Sequence, residues 1–158
     1  MNEIELFFEY YGRVLSDGDL AGIADCYTAP GLVLGDEDSI AIADLGEVEK
    51  SFAGAAERYR AQGLINVRAN VISSTALTRN LTLVDVRWDY LNANGENVQQ
   101  TRYHYLLRST PTGNFKIQVV IAHGEVCSQA KGQKTSCISC PLVQAESGPT
   151  ISAPRWYY

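Results

Sequence analysis

The sequence lacks several features that mark common classes of protein. No apolar run approaches the roughly 20 residues needed to cross a bilayer, and the chain has no glycine-rich phosphate loop and no nucleophile elbow. It starts with Met-Asn-Glu-Ile-Glu, without the basic residues of a secretory signal. We therefore predict a cytoplasmic protein that makes no contact with a membrane.

Basic residues are also scarce, with 13 Lys and Arg against 18 Asp and Glu and a formal net charge of -5. The acidic excess lies in residues 1–123, and the rest of the chain is slightly basic. An acidic body repels phosphate backbones, so we expect no nucleic-acid partner. With 158 residues, 46% of them hydrophobic, the chain is long enough to bury one core of its own.

The four cysteines are too few and too unevenly placed for a disulfide framework. Cys26 lies in the body. The other three cysteines follow His123 in the pattern H-x3-C-x9-C-x2-C and are Cys127, Cys137 and Cys140. Four such ligands could bind zinc. Because the C-x2-C is single and flanked by Ser, Gln and Gly, we favour free thiols, and we expect no metal and no cofactor.

The chain divides at about Gly124. Before this point apolar periodicity is clear, and after it the sequence is rich in Ser, Gln and Gly and contains three prolines. This predicts one domain over residues 1–124 and an irregular tail over residues 125–158. The tail ends in Arg-Trp-Tyr-Tyr, an aromatic cluster that we expect to dock on the body or on a second subunit.

Helical spacing of apolar residues predicts three helices in the N-terminal half. The first covers residues 4–15 and ends near Gly18, and Asp19 caps a second that reaches Tyr27. Asp44 and Glu47 form a capping box for the third helix.

The buried stripe of this third helix contains Phe52 and continues to Tyr59. Between the second and third helices, residues 32–34 and 40–42 predict two short strands, joined by a polar turn that includes Asp36. Strands are predicted from residue 64 onward, so the fold class is α+β.

Asn94-Gly95 is a strong signal for a two-residue hairpin turn. Closing the chain there sorts the two flanking strands into an aromatic face and an ionic face. The aromatic face receives the pairs Val84 with Tyr105, Val86 with Tyr103, and Trp88 with Thr101. The ionic face receives Asp85 with His104 and Arg87 with Arg102, with Asp89 diagonal to Arg102.

A second loop, residues 111–114, returns the chain into a last strand. Strict alternation places its apolar residues on the aromatic face, in the order Phe115, Ile117, Val119 and Ile121. His123 then ends this row and points into the same space. That face is either a plain core or the wall of a pocket.

The order of elements resembles the nuclear transport factor 2-like superfamily, which includes ketosteroid isomerase and the SnoaL-like cyclases. The resemblance covers residues 4–124, and its best local match runs from Tyr11 through Ile23, with the turn Ser16-Asp17-Gly18-Asp19-Leu20. It implies a conical barrel in which a curved mixed or antiparallel sheet wraps on three N-terminal helices. It further implies an apolar pocket and, usually, a homodimer.

The family's catalytic residues carry over only in part. Tyr11 matches the oxyanion-binding tyrosine of the isomerases, whereas their general-base aspartate falls on Gly35, next to Asp36, and their protonated aspartate falls on Tyr103. Isomerisation needs a carboxylate base and a neutral acid donor around one carbonyl. The resemblance therefore does not imply steroid isomerisation, although Tyr11 and Tyr103 could hold a substrate oxygen.

These arguments select candidate residues, each with a plainer alternative. The candidate catalytic residues are His123, Tyr11 and Asp36, although His123 could equally be a satisfied core histidine and Asp36 a solvated turn residue. The candidate ligand-binding residues are aromatic side chains that are more often core: Tyr103, Trp88, Tyr59, Phe52 and Tyr105. His104 and Asp85 pair on paper as a catalytic dyad, but a salt bridge at a dimer surface is the simpler interpretation.

Two classes of function remain open. The first is a cofactor-independent lyase, isomerase or cyclase that applies acid-base chemistry to a small apolar oxygenated molecule. The second is a non-catalytic, dimeric ligand-binding or protein-interaction module. An inward carboxylate near His123 or Tyr11 would favour the enzyme, whereas a filled interior would favour the module.

Overall fold

The computed structural model describes residues 2–123 of the chain. The tail over residues 125–158, with its three cysteines and its terminal aromatic cluster, lies outside the described residues. The helices are α1 Glu3–Asp17, α2 Leu20–Asp25, α3 Leu45–Phe52 and α4 Ala55–Ala61. The strands are β1 Tyr27–Leu34, β2 Ser39–Ile42, β3 Asn66–Ala76, β4 Leu81–Leu91, β5 Asn97–Ser109 and β6 Phe115–Ala122.

Local side-chain chemistry sets the ends of the first two helices. The Glu5 backbone N–H donates to Asn2 Oδ1 at 2.8 Å, so that a capping box begins α1. Gly18 ends the helix in the left-handed region, with φ 71°. Asp19 caps α2 as predicted, because its Oδ1 accepts the Gly22 N–H at 3.0 Å.

The predicted third helix is two helices, which makes four rather than three in residues 2–123. Ala53 leaves the helical region with ψ 125°, and Gly54 adopts φ 83°, where a side chain would be strained. The apolar stripe nevertheless continues, since Ala55 and Ala56 are buried on the far side of the break. The apolar pattern therefore runs through the break and does not reveal that two helices are present.

The second helix is shorter than predicted, and the first strand is longer. The helix ends at Asp25, and Tyr27 begins β1 instead of closing the helix. On this strand the buried residues are Tyr27, Gly31 and Val33, which share one face. Tyr27 is thereby brought into the interior.

The six strands form one open mixed sheet in the order β2-β1-β6-β5-β4-β3. The β1–β6 pair is parallel and the other pairs are antiparallel. The outermost strands, β2 and β3, do not pair with each other. The predicted barrel is therefore not closed by hydrogen bonding within the described part of the chain, while the α+β class is confirmed.

The strand pairs predicted from Asn94-Gly95 are confirmed, but the predicted two-residue turn is wrong. The Asn92 N–H donates to the Glu96 carbonyl at 3.0 Å, so the loop has three residues, and a bulge at Val98 restores the predicted register. Val84 lies opposite Tyr105, Val86 opposite Tyr103, Trp88 opposite Thr101, Asp85 opposite His104, and Arg87 opposite Arg102. The inner face is the one covered by helices, and its strand residues Val84, Val86 and Trp88 are each at most 3% exposed. The outer face carries the ionic residues.

The last strand does not keep strict alternation. Leu107 pairs with Ile117, but the preceding residue, Leu106, pairs with Val119, so Gln118 is an extra residue on β6. Beyond this bulge the faces are exchanged, and Val120 and Ala122 point inward. The prediction that Val119 and Ile121 face inward is therefore wrong.

The same bulge moves His123. The residue before the strand end, Ile121, lies opposite His104 on the outer face, and His123 follows with the parity of Ile121. His123 is exposed, and its ring contacts His104 instead of the interior. The predicted inward orientation of His123 is wrong because the bulge inverts the side-chain parity.

Candidate functional site

A cavity lies between the helices and the inner face of the sheet. Its walls come from α1, α3 and α4, from the start of β3, and from inner residues of β4 and β5. It leaves about 40 Å³ for the centres of water-sized molecules. Because one water needs ~10–15 Å³ by this measure, the cavity has room for about three waters or a group of similar size.

Tyr11 reaches this cavity from α1 and is 2% exposed. Its hydroxyl lies 2.7 Å from the Tyr27 hydroxyl, and either can donate in this hydrogen bond. When Tyr27 donates, Tyr11 keeps its own O–H for an acceptor in the cavity. Tyr11 packs edge-to-face on Trp88, with ring centroids 5.7 Å apart.

Tyr105 is a second phenol in the cavity wall. Its oxygen accepts the Trp88 indole N–H at 2.9 Å, which leaves the Tyr105 O–H available as a donor. Burial raises the pKa of both Tyr11 and Tyr105 well above the ordinary value for tyrosine, and neighbouring tyrosines raise these pKa values further. Both phenols therefore stay protonated at neutral pH and can donate but not act as bases.

The rim of the cavity is held by Ser16, at the last turn of α1. The Ser16 hydroxyl donates to the Gly12 carbonyl at 2.8 Å and accepts the Val67 N–H at 3.0 Å. The Ser16 carbonyl accepts a hydrogen bond from Arg60 Nη2 at 2.7 Å. One residue thus ties α1 to the start of β3 and to the end of α4.

The rest of the lining is mostly apolar, and its other residues with polar side chains are Tyr59, Asn66 and Tyr90. Among the described residues that line the cavity there is no Asp, Glu or His, and Arg60 is the one with a permanent charge. The arrangement can therefore hold an oxygen acceptor through phenol donors in apolar surroundings. It offers no carboxylate or imidazole in the described lining that would take a proton at neutral pH.

The structure brings together most of the aromatic residues predicted to bind ligand. Trp88, Tyr59, Phe52 and Tyr105 line the cavity. Tyr103 does not line the cavity. It is the inward residue that precedes Tyr105 on β5, and it stacks on Tyr105 with ring centroids 5.9 Å apart. The predicted Tyr11 and Tyr103 pair is replaced by Tyr11 with Tyr105.

The remaining predicted catalytic residues lie elsewhere. Asp36 is exposed in the turn between β1 and β2 and does not line the cavity. His123 lies on the opposite face of the sheet, as described above. Of the three candidates for acid-base chemistry, Tyr11 alone reaches the cavity.

Sequence reasoning missed Tyr27 and Arg60. The sequence predicts Tyr27 at the end of a helix, and the shift of register between Tyr27 and Leu32 breaks the alternation that would mark a strand. Arg60 gave no signal, because an arginine near a helix end is normally a solvated residue. Its approach to Ser16 depends on how α4 packs against α1.

The outer face of the sheet carries an ordered ionic network around Asp89, which is 2% exposed. Its carboxylate accepts hydrogen bonds from Arg87 at 3.0 and 3.3 Å, from Asn70 at 2.9 Å and from Gln100 at 3.1 Å. Arg68 adds an ion pair at 3.5 Å. Burial raises the pKa of Asp89, but the Arg87, Asn70 and Arg68 contacts outweigh it, and the pKa is lowered overall.

A second ion pair explains how two facing arginines coexist. Arg87 and Arg102 lie directly opposite each other, which places like charges side by side. Arg87 turns to Asp89, while Arg102 binds Asp85 through two hydrogen bonds of 2.9 and 2.5 Å. The hydrogen bonds from Arg102 lower the pKa of Asp85. The predicted diagonal pair of Asp89 with Arg102 therefore does not form.

The two histidines of the chain meet at the end of this network. His104 Nδ1 and His123 Nε2 are 2.7 Å apart, and His104 Nε2 lies 3.8 Å from Asp85 Oδ2. Ring centroids 4.8 Å apart with such close nitrogens show that the rings meet edge to edge. Burial lowers the pKa of His123, as do His104 and Arg102, against an opposite effect of Asp85 and Asp36.

Nothing in residues 2–123 forms a metal-ligand cluster of three or more His, Cys, Asp or Glu side chains. Cys26 is buried, and burial together with the nearby Asp25 charge raises the pKa of its thiol to about 12. The Cys26 thiol is therefore protonated and unreactive at neutral pH. The other three cysteines of the predicted zinc pattern lie outside the described residues.

The strand order, the helices on one sheet face and the inward tyrosine of α1 define a nuclear transport factor 2-like α+β domain. The chain belongs to the family described as NTF2-like protein (DUF6841), whose model matches residues 2–125. The family resemblance inferred from the sequence is thus confirmed. No curated protein matches the chain.

Solved structures of similar fold are remote in sequence. A domain of unknown function with a cystatin-like fold from Nostoc punctiforme has a TM-score of 0.60 at 10% identity, covering 92% of this chain and 95% of its own. An NTF-2 like protein of unknown function from Shewanella oneidensis has a TM-score of 0.58 at 11% identity, covering 77% and 96%.

A ketosteroid isomerase-like protein from Erwinia carotovora atroseptica has a TM-score of 0.54 at 14% identity, covering 82% of this chain and all (100%) of its own. At such low identity these likenesses show the fold alone. Within residues 2–123, no helix has the length and apolar character needed to cross a membrane.

Proposed function

We propose that this domain binds a small, oxygen-containing apolar molecule in the cavity beneath α1 and α4. The observation that carries the proposal is the pair of phenol donors, Tyr11 and Tyr105, in a lining that is mostly apolar. An apolar cleft with a few convergent polar groups is the usual form of a small-molecule site. Both tyrosines line the same cavity, and each has an O–H that can donate to a ligand oxygen.

Binding without catalysis is the form of this function that the geometry supports best. A lyase, isomerase or cyclase of the expected kind needs a base as well as a donor. Tyr11 supplies a donor, but the described lining holds no carboxylate and no imidazole. His123, the expected titrating group, lies across the sheet, on its outer face.

Filling the cavity tests this proposal. Ala55 lines the cavity and is 8% exposed, so Ala55→Val should remove space that a ligand needs. Ala53→Val, at an exposed position two residues away, is the matched control. Thermal melting of each variant shows whether the fold is kept.

Neutral probes such as butyramide and isovaleramide can be titrated by NMR chemical shifts in each variant. Binding in the wild type and in Ala53→Val, but not in folded Ala55→Val, is the expected result. Tyr11→Phe should weaken the affinity about threefold to tenfold, the size of one hydrogen bond to an uncharged ligand. Shifts that stay the same in Ala55→Val would place binding elsewhere and defeat the proposal.

We also propose that two copies of the chain pair through the outer face of the sheet. The observation that favours pairing is the pre-ordered ionic network around Asp85 and Asp89, which helices do not cover in residues 2–123. Such a polar surface fits an isologous contact, in which the same patch serves both copies. Light scattering should give twice the chain mass of 17.3 kDa. A monomer at micromolar concentration would contradict this pairing.

A further inference from the structure

We infer that the ligand of the cavity is a small apolar carboxylic acid, whose carboxylate binds Arg60 while its apolar part lies against Trp88 and Tyr105. This inference rests on the proposed small-molecule function and names the class of ligand. Arg60 lines the cavity at the end of α4, and it is the charged member of the described lining.

Arg60 is oriented but not neutralised. Its Nη2 donates to the Ser16 carbonyl at 2.7 Å, which fixes the guanidinium at the rim. A guanidinium has five N–H donors in a planar fork, so the Ser16 contact leaves an edge free for a carboxylate. Ser16 itself is held by Gly12 and Val67, so the anchor point is rigid.

Arg60 also has no carboxylate partner in residues 2–123. The ion pairs formed by Arg68, Arg87, Arg102, His104 and Lys116 do not reach Arg60. This is notable in a chain with 18 acidic and 13 basic residues. Arg60 is thus a cation beside an apolar cavity and has no anionic partner in the described residues. These features match an amphipathic acid with a single carboxylate group.

The phenols are compatible with this match. Burial keeps Tyr11 and Tyr105 protonated, so neither side chain adds a negative charge that would repel the acid. The cavity itself is small, with about 40 Å³ for the centres of water-sized molecules, which limits the apolar part to a short chain. Short branched or linear acids fit this description better than extended fatty acids or ring systems.

Matched acid and amide probes test the inference on the full chain. Butyrate against butyramide, and isovalerate against isovaleramide, differ in charge but hardly in shape, and NMR titration measures both. The acid should bind about tenfold more tightly than its amide, a moderate value because exposed ion pairs are screened by solvent. Added salt should reduce the affinity for the acid and leave the affinity for the amide unchanged.

Two variants locate the charge. Arg60→Gln should abolish the preference for the acid while amide binding persists, and Arg60→Lys should restore part of it. Arg58→Gln removes the same charge from the same helix at a residue outside the lining, and should leave the preference intact. Equal binding of acid and amide would overturn the carboxylate inference while leaving the proposed function in place.

The remaining outcomes are equally decisive. An acid preference that survives Arg60→Gln would exclude Arg60 as the partner and overturn the inference. If neither acid nor amide binds the wild type, the proposed small-molecule function fails together with the inference. A loss of all binding in Arg60→Gln with an unchanged melting temperature would show that Arg60 recognises the shared oxygen and not the charge, which also overturns it.

Discussion

The two faces of the central sheet are built from the same strands but by different chemistry. On β4 the inward residues Val84, Val86 and Trp88 are buried without charge, while the outward Asp85 and Asp89 are buried within ion pairs. The inner face gains stability from apolar area removed from water. The outer face gains order from hydrogen bonds that hold charges in fixed positions.

This difference in chemistry determines how each face responds to substitution. An apolar face tolerates little change in volume, because its close-packed interior loses contacts when an atom is removed. An ionic face tolerates changes of shape but not the loss of one partner of a buried pair. Substitutions on the two faces should therefore differ in size and in their dependence on pH.

The largest effect is expected on the inner face at Phe8, which is fully buried with 0% exposure and packs on Tyr105 with ring centroids 5.1 Å apart. Phe8→Ala should reduce the free energy of unfolding by about 3–5 kcal/mol, since it opens a cavity in the core. Leu6→Ala, at a residue of the same helix that is 51% exposed, is the control and should change little. Urea unfolding measures both, and similar losses in the two variants would contradict the assignment of the core.

The next effect is expected on the outer face at Asp89. Asp89→Asn keeps the shape but removes the charge that orders Arg87 and Arg68, and should cost about 1–3 kcal/mol. Asp36→Asn, in an exposed turn, makes the same chemical change without a buried partner and is the control. If both variants have the same midpoint of urea unfolding as the wild type, the prediction is wrong and the outer network does not contribute to stability.

A smaller effect is expected at the hydrogen bond between Tyr11 and Tyr27. Tyr11→Phe removes one hydroxyl from a buried pair and should lower the free energy of unfolding by about 1–2 kcal/mol. Tyr10→Phe, on the adjacent exposed position of α1, should be neutral. A double-mutant cycle with Tyr27→Phe measures the coupling, and strict additivity would show that the hydroxyls do not interact.

The smallest effect is expected in the pH dependence of the histidine pair. Since the folded pKa of His123 is below its ordinary value of 6.5, the unfolded chain binds the proton first as pH falls. His123 therefore adds stability above pH 6.5, and this contribution is lost as pH falls from 6.5 toward the folded pKa. The urea midpoint should decline over this range.

The chain has 2 histidines, so the double variant His104→Gln, His123→Gln contains none. In this variant the decline below pH 6.5 should be absent, while His104→Gln alone should reduce it. An identical decline in the wild type and the double variant would assign the pH dependence to other groups. The inner face provides the contrast, because burial raises the pKa of Tyr11 and Tyr105 far above this range.

Much of the fold was predictable because its signals are local. Asn94-Gly95 marks the turn between β4 and β5 and so predicts their register, and Asp19 and Asp44 cap their helices through hydrogen bonds to nearby N–H groups. The bulge at Gln118 was not predictable in this way. Neither Gly nor Pro on β6 marks it, and the pairing of β6 with both neighbouring strands shifts register at this point.

The candidate site was predictable in its aromatic part and not in its charged part. Tyr11, Trp88 and Tyr105 follow from periodicity, since inward positions repeat every second strand residue and every third or fourth helix residue. Arg60 becomes part of the site through the packing of α4 on the last turn of α1. Contacts between elements far apart in the chain leave no local pattern to read.

The bulge at Gln118 also determines how far residue roles can be compared between relatives. A Cβ on the neighbouring Gly31 would come within 2.9 Å of the Gln118 carbonyl oxygen, so the two strands fit closely here. A relative without the extra residue could still be aligned with this chain without a gap. The aligned residues of β6 after Ile117 would then point to opposite faces of the sheet in the two proteins. A histidine aligned with His123 would then point into the interior of that relative, so equivalence at the end of β6 must be assigned by face and not by column.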